Sequence, residues 1–240
     1  MVLRLKIIAC KVLEKEINFI GEGCGNEIDA KLLEQHLHNE PDKLRDELQA
    51  AIDMTDASEE CYDAILLGYG LCSNATAGVI SKKHSIVIPK AHDCITLLLG
   101  SKEWYKEYFD KYSGGVYWYS IGWIDNSLMP SEERYEVTYN EYLEKYGEDN
   151  ALYLMEMEQD WMNKYSRGTY IGWNSLPSDY HIGFAKDCAE YMKWDFEQLN
   201  GSPSLMADFL GGNWRGEDFA VIPPNHAVTP TDDEEIIGYR

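Results

Sequence analysis

Tyr62-Asp-Ala-Ile-Leu-Leu-Gly-Tyr-Gly-Leu-Cys72 is the stretch that decides the fold. Its apolar residues run on without alternation, so both faces expect burial, and the run breaks into glycines before a cysteine. That is the pattern of a central parallel strand entering a functional loop. Ser85-Ile-Val-Ile-Pro-Lys-Ala-His-Asp-Cys94 repeats it, and Leu3-Arg-Leu-Lys-Ile-Ile-Ala-Cys10 is a third apolar strand ending at a cysteine. Between them, Asn39 to Leu48 predicts a helix capped by Asn39, with Pro41 in its first turn and Leu44, Leu48 and Ile52 on one face. Lys31–His38 reads as either extended or helical. Ser101–Tyr112 predicts a second helix, with Ser101 as cap and Trp104, Tyr105, Tyr108 and Phe109 as its bulky face. Strands alternating with helices imply right-handed crossovers and a parallel sheet, whose ligands bind beyond the carboxyl ends of the strands.

The second half is more aromatic and acidic, yet also reads as α/β. Gly115–Trp123 and Gly168–Trp173 predict strands, Ser131–Trp161 one or two acidic helices, Tyr180–Trp194 and Ser204–Leu210 further helices, and Asp218–His226 a last strand. The expected architecture is two Rossmann-like lobes with mostly parallel sheets and a cleft between them, residues 1–114 carrying a Cys/His site and residues 115–240 forming an aromatic, acidic lobe. Two echoes join the halves: Val87-Ile-Pro-Lys-Ala-His92 with Val221-Ile-Pro-Pro-Asn-His226, and Ile121-Gly-Trp123 with Ile171-Gly-Trp173. Proline donates nothing to a ladder, so each VIP strand should stop there and hand its histidine to a loop.

The 240 residues are 45% hydrophobic and 26% charged, the composition of an ordinary globular chain. Forty-two acidic against 21 basic side chains leave a net charge of −21, which repels phosphate backbones and anionic lipid. No apolar stretch approaches the roughly 20 residues a bilayer needs, and no signal-peptide pattern opens the chain, so a cytoplasmic protein without nucleic-acid or membrane partners is expected. Six cysteines are too few for a disulfide scaffold and are expected as reduced thiols. There is no CxxC pair, P-loop, GxGxxG or GxSxG.

Chemistry must therefore come from convergence. Cys10, Cys72 and the pair His92/Cys94 follow three predicted parallel strands, and adjacent strands would gather them at one sheet edge. Thiolate and imidazole suit zinc, while three cysteines with an open position suit an iron–sulfur cluster. In an extended His-Asp-Cys segment, His92 and Cys94 share a side and Asp93 faces away, where it would orient a ligand. Taken singly, Cys10 reads as a small buried hydrophobe, Cys72 after its glycine turn as either packing or function, and His92-Asp-Cys94 in its post-strand loop as functional. Gly68-Tyr69-Gly70-Leu-Cys-Ser73-Asn74 has a second reading, as an anion-binding loop feeding a helix N-terminus, with Ser73 and Asn74 as donors. His38 is read either as a surface or capping residue or as a proton shuttle at the edge that holds Cys10; His226, after Pro223-Pro224, is read as a general acid or base aimed across the cleft. Cys61 and Cys188 read as structural, His84 and His181 as surface residues. The Tyr117–Trp123 aromatics read as core and cleft wall, the helices from Glu132 to Asp160 as a solvated face or a dock for a basic partner.

Lys6–Cys10, Asp63–Cys72, Ile88-Pro-Lys-Ala-His-Asp-Cys-Ile-Thr-Leu-Leu-Leu-Gly-Ser101, Gly122-Trp123 and Pro223-Pro-Asn-His226 together resemble domain-of-unknown-function family 1638, over nearly the whole chain. The resemblance brings no activity with it. It implies an anaerobic setting beside corrinoid-dependent methyltransferase systems acting on methylamines and betaines. Where family members often carry glycine in the Cys72 loop, this chain has Ala75. The His-x-Cys pair also resembles part of the zinc site of thiol-activating methyltransferases. The chain lacks the DxHxxG signature of a corrinoid carrier. The expectation is a zinc or [4Fe-4S] enzyme or accessory protein of one-carbon metabolism. Its substrate would be a small methylated amine or thiol and its partner a corrinoid protein. The alternative is a non-catalytic protein that binds a metal, a corrinoid or a small ligand.

Overall fold

The computed structural model describes residues 2–113 and 115–240; Met1 and Gly114, which bound the expected first lobe, lie outside the described residues. In chain order the elements are β1 (Arg4–Cys10), α1 (Glu14–Gly21), β2 (Glu27–Leu33), α2 (Pro41–Ala57), β3 (Ala64–Gly68), β4 (Ile86–Pro89), α3 (Ile95–Leu99), α4 (Lys102–Tyr112), β5 (Val116–Tyr119) and α5 (Ile121–Asn126). They continue with α6 (Glu132–Tyr146), α7 (Glu148–Asp160), β6 (Arg167–Gly172), α8 (Asp179–Tyr191), β7 (Asp195–Asn200), α9 (Ser204–Gly211), β8 (Phe219–Ile222), β9 (Val228–Pro230) and β10 (Ile237–Tyr239). The chain is α/β, with mostly parallel sheets.

Two compact units result: one holds the residues up to Tyr105 together with Gly201–Arg240, the other Lys106–Asn200. The sequence placed a single division at 114/115. The structure differs because β8 returns to pair with β4, carrying the last forty residues back to the first unit.

The first unit is built on a five-stranded sheet in the order β2-β1-β3-β4-β8. β2, β1, β3 and β4 run parallel, and β8 runs antiparallel to β4. Every residue of β3 and β4 is buried, which explains why these segments are unbroken apolar runs. α2 buries Leu44, Leu48 and Ile52 as its periodicity predicts, although its cap position is Glu40 rather than Asn39. Gly68 is required by packing: a Cβ there would lie 2.5 Å from the Cβ of Ala9 on β1.

The second unit has a parallel three-stranded sheet, β5-β6-β7. Its aromatic residues form core. The Tyr117 ring lies 5.4 Å from Tyr165 and 5.5 Å from Trp194, and Tyr119 and Tyr170 are buried beside Cys188. The Tyr108 hydroxyl shares a 2.8 Å hydrogen bond with Thr169 and donates to Glu197 at 2.7 Å. The Ile-Gly-Trp echo has no structural counterpart, since Ile121–Trp123 opens α5 whereas Ile171 and Gly172 end β6. The strand β7, Asp-Phe-Glu-Gln-Leu-Asn, was missed because four of its six residues are polar.

Candidate functional site

The three cysteine strands are neighbours. β1 lies between β2 and β3, and β3 pairs with β4, so Cys10, Cys72 and Cys94 all belong to the carboxyl edge of one parallel sheet. Beyond the strand ends the pairing continues: the backbone N–H of Leu71 donates to the Ala91 carbonyl and that of Cys72 to the His92 carbonyl, both at 2.9 Å. Gly70 permits this approach, since a Cβ there would stand 2.6 Å from both the Ala91 oxygen and the Asp93 nitrogen. The two cysteine loops are thus laced together by backbone.

The loop then turns in an unusual way. Cys72, Ser73 and Asn74 have φ of 46°, 57° and 64°, three consecutive non-glycine residues in the left-handed region. Each costs about 1 kcal/mol or more relative to right-handed backbone, so the surroundings must hold the turn in place. Arg45 on α2 donates to the Asn74 carbonyl at 2.9 Å, and the buried Thr76 hydroxyl donates to the Gly70 carbonyl at 3.1 Å. This corrects the anion-loop reading of Gly68, Tyr69, Gly70, Ser73 and Asn74: residues 72–78 are turns, and left-handed backbone starts no right-handed helix at whose N-terminus an anion would sit.

Cys10 is 7% exposed, while Cys72 and Cys94 are half-buried. Burial pushes the Cys10 thiol up to about 11, opposed by the backbone N–H of Val12. It pushes Cys72 up to about 12, helped by the negative charge of Asp93 and of Cys10 and opposed by a hydrogen bond with the Gly70 backbone. Cys94 is driven well above the usual thiol range by burial, then by Cys10, Asp93 and Cys72. Burial, and then the charges of Cys10, Cys72 and Cys94, disfavour ionisation of Tyr69. Tyr69 is 3% exposed, and its hydroxyl makes no hydrogen bond to any described residue.

His92 and Asp93 do not take the sides expected of an extended segment. Residues 92–94 form a bend into α3 instead of an extended segment, so the alternation that put His92 beside Cys94 does not apply. His92 is exposed, whereas Asp93 turns inward, accepting from the Ile95 N–H at 3.0 Å and from the Tyr105 hydroxyl at 2.7 Å. Burial raises the Asp93 carboxyl, against the hydrogen bonds from Tyr105 and the Ile95 and Thr96 backbone. Sequence reasoning missed Tyr105; its place in the helix face made it look like packing alone.

The remaining histidines separate. His38 follows β2 at the same edge as Cys10, but its Nδ1 lies 2.6 Å from the Gln35 carbonyl of its own turn. His226 is at the other end of the sheet: β8 is antiparallel, its carboxyl end meets the amino end of β4, and the Asn225 N–H donates to the Ser81 carbonyl there. Proline does end both VIP strands as predicted, but the reversed direction sends their histidines apart. His84, expected at the surface, is 5% exposed and pairs with Asp56 at 2.8 Å.

In residue type alone, three thiols following three adjacent strands are the donors a soft metal takes. Among the described residues, no three Cys, His, Asp or Glu side chains already surround one point at ion-binding distance. Also among the described residues, no helix is long and apolar enough to cross a membrane. A second recess, of about 170 Å³, opens within the second unit at the carboxyl ends of β6 and β7, lined in part by Asn174, Ser178, Gln198 and Asn200.

These features define an α/β protein with three cysteines at the carboxyl edge of a parallel sheet. The chain belongs to DUF1638, described as a protein of unknown function, whose family model matches residues 32–210. Comparison with curated proteins and with solved structures gave no match.

Proposed function

We propose that Cys10, Cys72 and Cys94 bind zinc or an iron–sulfur cluster, and that the loaded protein is an enzyme or accessory protein of anaerobic one-carbon metabolism. The observation that supports this is that the three cysteines follow the ends of β1, β3 and β4, adjacent strands of one sheet, with the Cys72 and Cys94 segments joined by backbone hydrogen bonds. With three protein ligands, one coordination position stays open for a small substrate, a thiol, amine or carboxylate. The metal would supply Lewis acidity and make a bound thiol more acidic. The chain's own residues do the rest: Tyr105 and the Ile95 N–H hold Asp93 beside the thiols, and the Gly70 contact and Arg45 hold the Cys72 loop. The resemblance noted above is the ground for the one-carbon setting, a methylated substrate, a corrinoid protein as partner and a cytoplasmic location.

Metal analysis and a visible spectrum of anaerobically purified protein test this. Broad visible absorbance with iron supports the cluster, and one colourless equivalent of zinc supports the Lewis acid. Neither metal, in protein that also takes up none when supplied, refutes the proposal.

The second reading, a non-catalytic small-ligand protein, draws on the polar recess at β6 and β7. Under it, alanine at Asn200 weakens ligand binding while serine at Cys72 leaves binding unchanged.

A further inference from the structure

We propose that the recess in the second unit binds one small neutral polyol, a monosaccharide or cyclitol, through its amide and hydroxyl side chains. The inference rests on the second reading above, the small-ligand protein, and names the class of ligand.

Strand register makes the recess. Tyr170 pairs with Gln198 and Gly172 with Asn200 across β6 and β7, and side chains alternate along a strand, so these four residues share one face of the sheet. α8 covers that face, since its Ala185 and Cys188 are buried with Tyr170. Gly172 carries no side chain, and a Cβ there would stand 3.0 Å from the Tyr170 ring. The space of about 170 Å³ is lined by these strand ends and by Ser178 and Asp179 at the start of α8. The Asn174 N–H donates to Asn200 Oδ1 at 3.0 Å, tying the loop after β6 to the end of β7. That bond uses the Asn200 oxygen and leaves its amide nitrogen to donate elsewhere. Ser178 stands at the cap position of α8 without using its hydroxyl there. Among the described residues, none hydrogen-bonds to the side chains of Asn174, Ser178, Asp179 or Gln198, so a ligand gains these partners without breaking a bond inside the protein.

Charge and size then select the ligand. Among the described residues, Asp179 is the one ionised side chain of the lining, and the whole chain carries −21. A phosphate or carboxylate would meet repulsion and no cation to offset it. A lone cation would suit Asp179 but would leave the N–H donors of three amides unused. Neighbouring hydroxyls of a polyol both donate and accept, which matches amides, a hydroxyl and a carboxylate together. The space equals about six water molecules at roughly 30 Å³ each, room for one sugar-sized molecule and not for a nucleotide.

Calorimetric titration of the full chain with myo-inositol, glucose, galactose and ribose, and with ethylammonium and inorganic phosphate as charged probes, tests this. At least one neutral probe should bind, with an affinity that salt does not change. Gln198→Leu keeps the bulk of an exposed side chain and removes its hydrogen bonds; it should weaken that binding about tenfold with an unchanged circular dichroism spectrum. Ser178→Ala should weaken it in the same direction, and Cys72→Ser should leave it as in wild type. Failure of every neutral probe, or sugar binding that both recess variants leave intact, overturns the inference. Binding of ethylammonium or phosphate alone, weakened by Gln198→Leu, also overturns it while keeping the recess as a small-ligand site. Sugar binding that Cys72→Ser abolishes and Gln198→Leu spares defeats the second reading as well.

Discussion

The backbone N–H of Cys72 donates to the carbonyl of His92 at 2.9 Å, extending the β3–β4 pairing beyond both strands and bringing the loop of Cys72 against the segment that carries Cys94. Cysteines 22 positions apart are neighbours because parallel pairing persists where the strands have formally ended.

Gly70→Ala tests that lacing. Its new Cβ would meet backbone atoms of Ala91 and Asp93 at 2.6 Å, and neither loop gives way cheaply. Destabilisation by about 1–3 kcal/mol is expected in denaturant unfolding. Cys72 and Cys94 should also react faster with a chromogenic disulfide reagent. A stable variant with unchanged thiol reactivity would contradict the role given to this contact.

Ser73→Gly tests the strain of the left-handed turn. Serine at φ 57° is disfavoured where glycine is not. Relief of about 1 kcal/mol is expected, reduced in part by glycine's greater freedom when unfolded. The measurement is the unfolding midpoint, which should rise or hold. Metal affinity should fall as the Cys72 loop loosens, the trade expected where strain serves a site.

At the opposite end of the sheet, Asp56 ties Ser81, Lys82 and His84 together. Burial pushes its carboxyl up, but hydrogen bonds from the Lys82 backbone, His84 and Ser81 outweigh that and leave it below its ordinary 3.8. A depressed carboxyl stabilises the fold above its unfolded value, and that contribution is lost as pH falls through the lower, folded value. Asp56→Asn should thus cost about 1–3 kcal/mol at pH 7, with the difference from wild type shrinking below pH ~4. A difference that does not change with pH would show that the carboxylate charge plays no part.

Much of the first unit was legible in its sequence. Unbroken apolar runs named β3 and β4, a largely apolar one named β1, and the cysteines at or after their ends marked one edge of the sheet. What escaped depends on direction and rotation, which composition does not carry. Val87-Ile-Pro89 and Val221-Ile-Pro223 look alike as strings, yet they pair antiparallel, Val87 opposite Val221, so His226 leaves the site. His92 and Asp93 trade places because the chain bends at 92–94, and assuming an extended segment there assigned each the other's side. Tyr105 and Arg45 reach the site from helices, at distances in sequence that no local pattern encodes.

The most direct measurement is the metal content of four proteins purified together without oxygen: wild type, Cys72→Ser, Cys94→Ser and Cys61→Ser, the last altering an exposed thiol that precedes β3. The account predicts that the first two variants lose the metal while keeping the wild-type circular dichroism, and that Cys61→Ser retains it. Retention of the metal by Cys72→Ser and Cys94→Ser, or its loss from Cys61→Ser, would contradict the account.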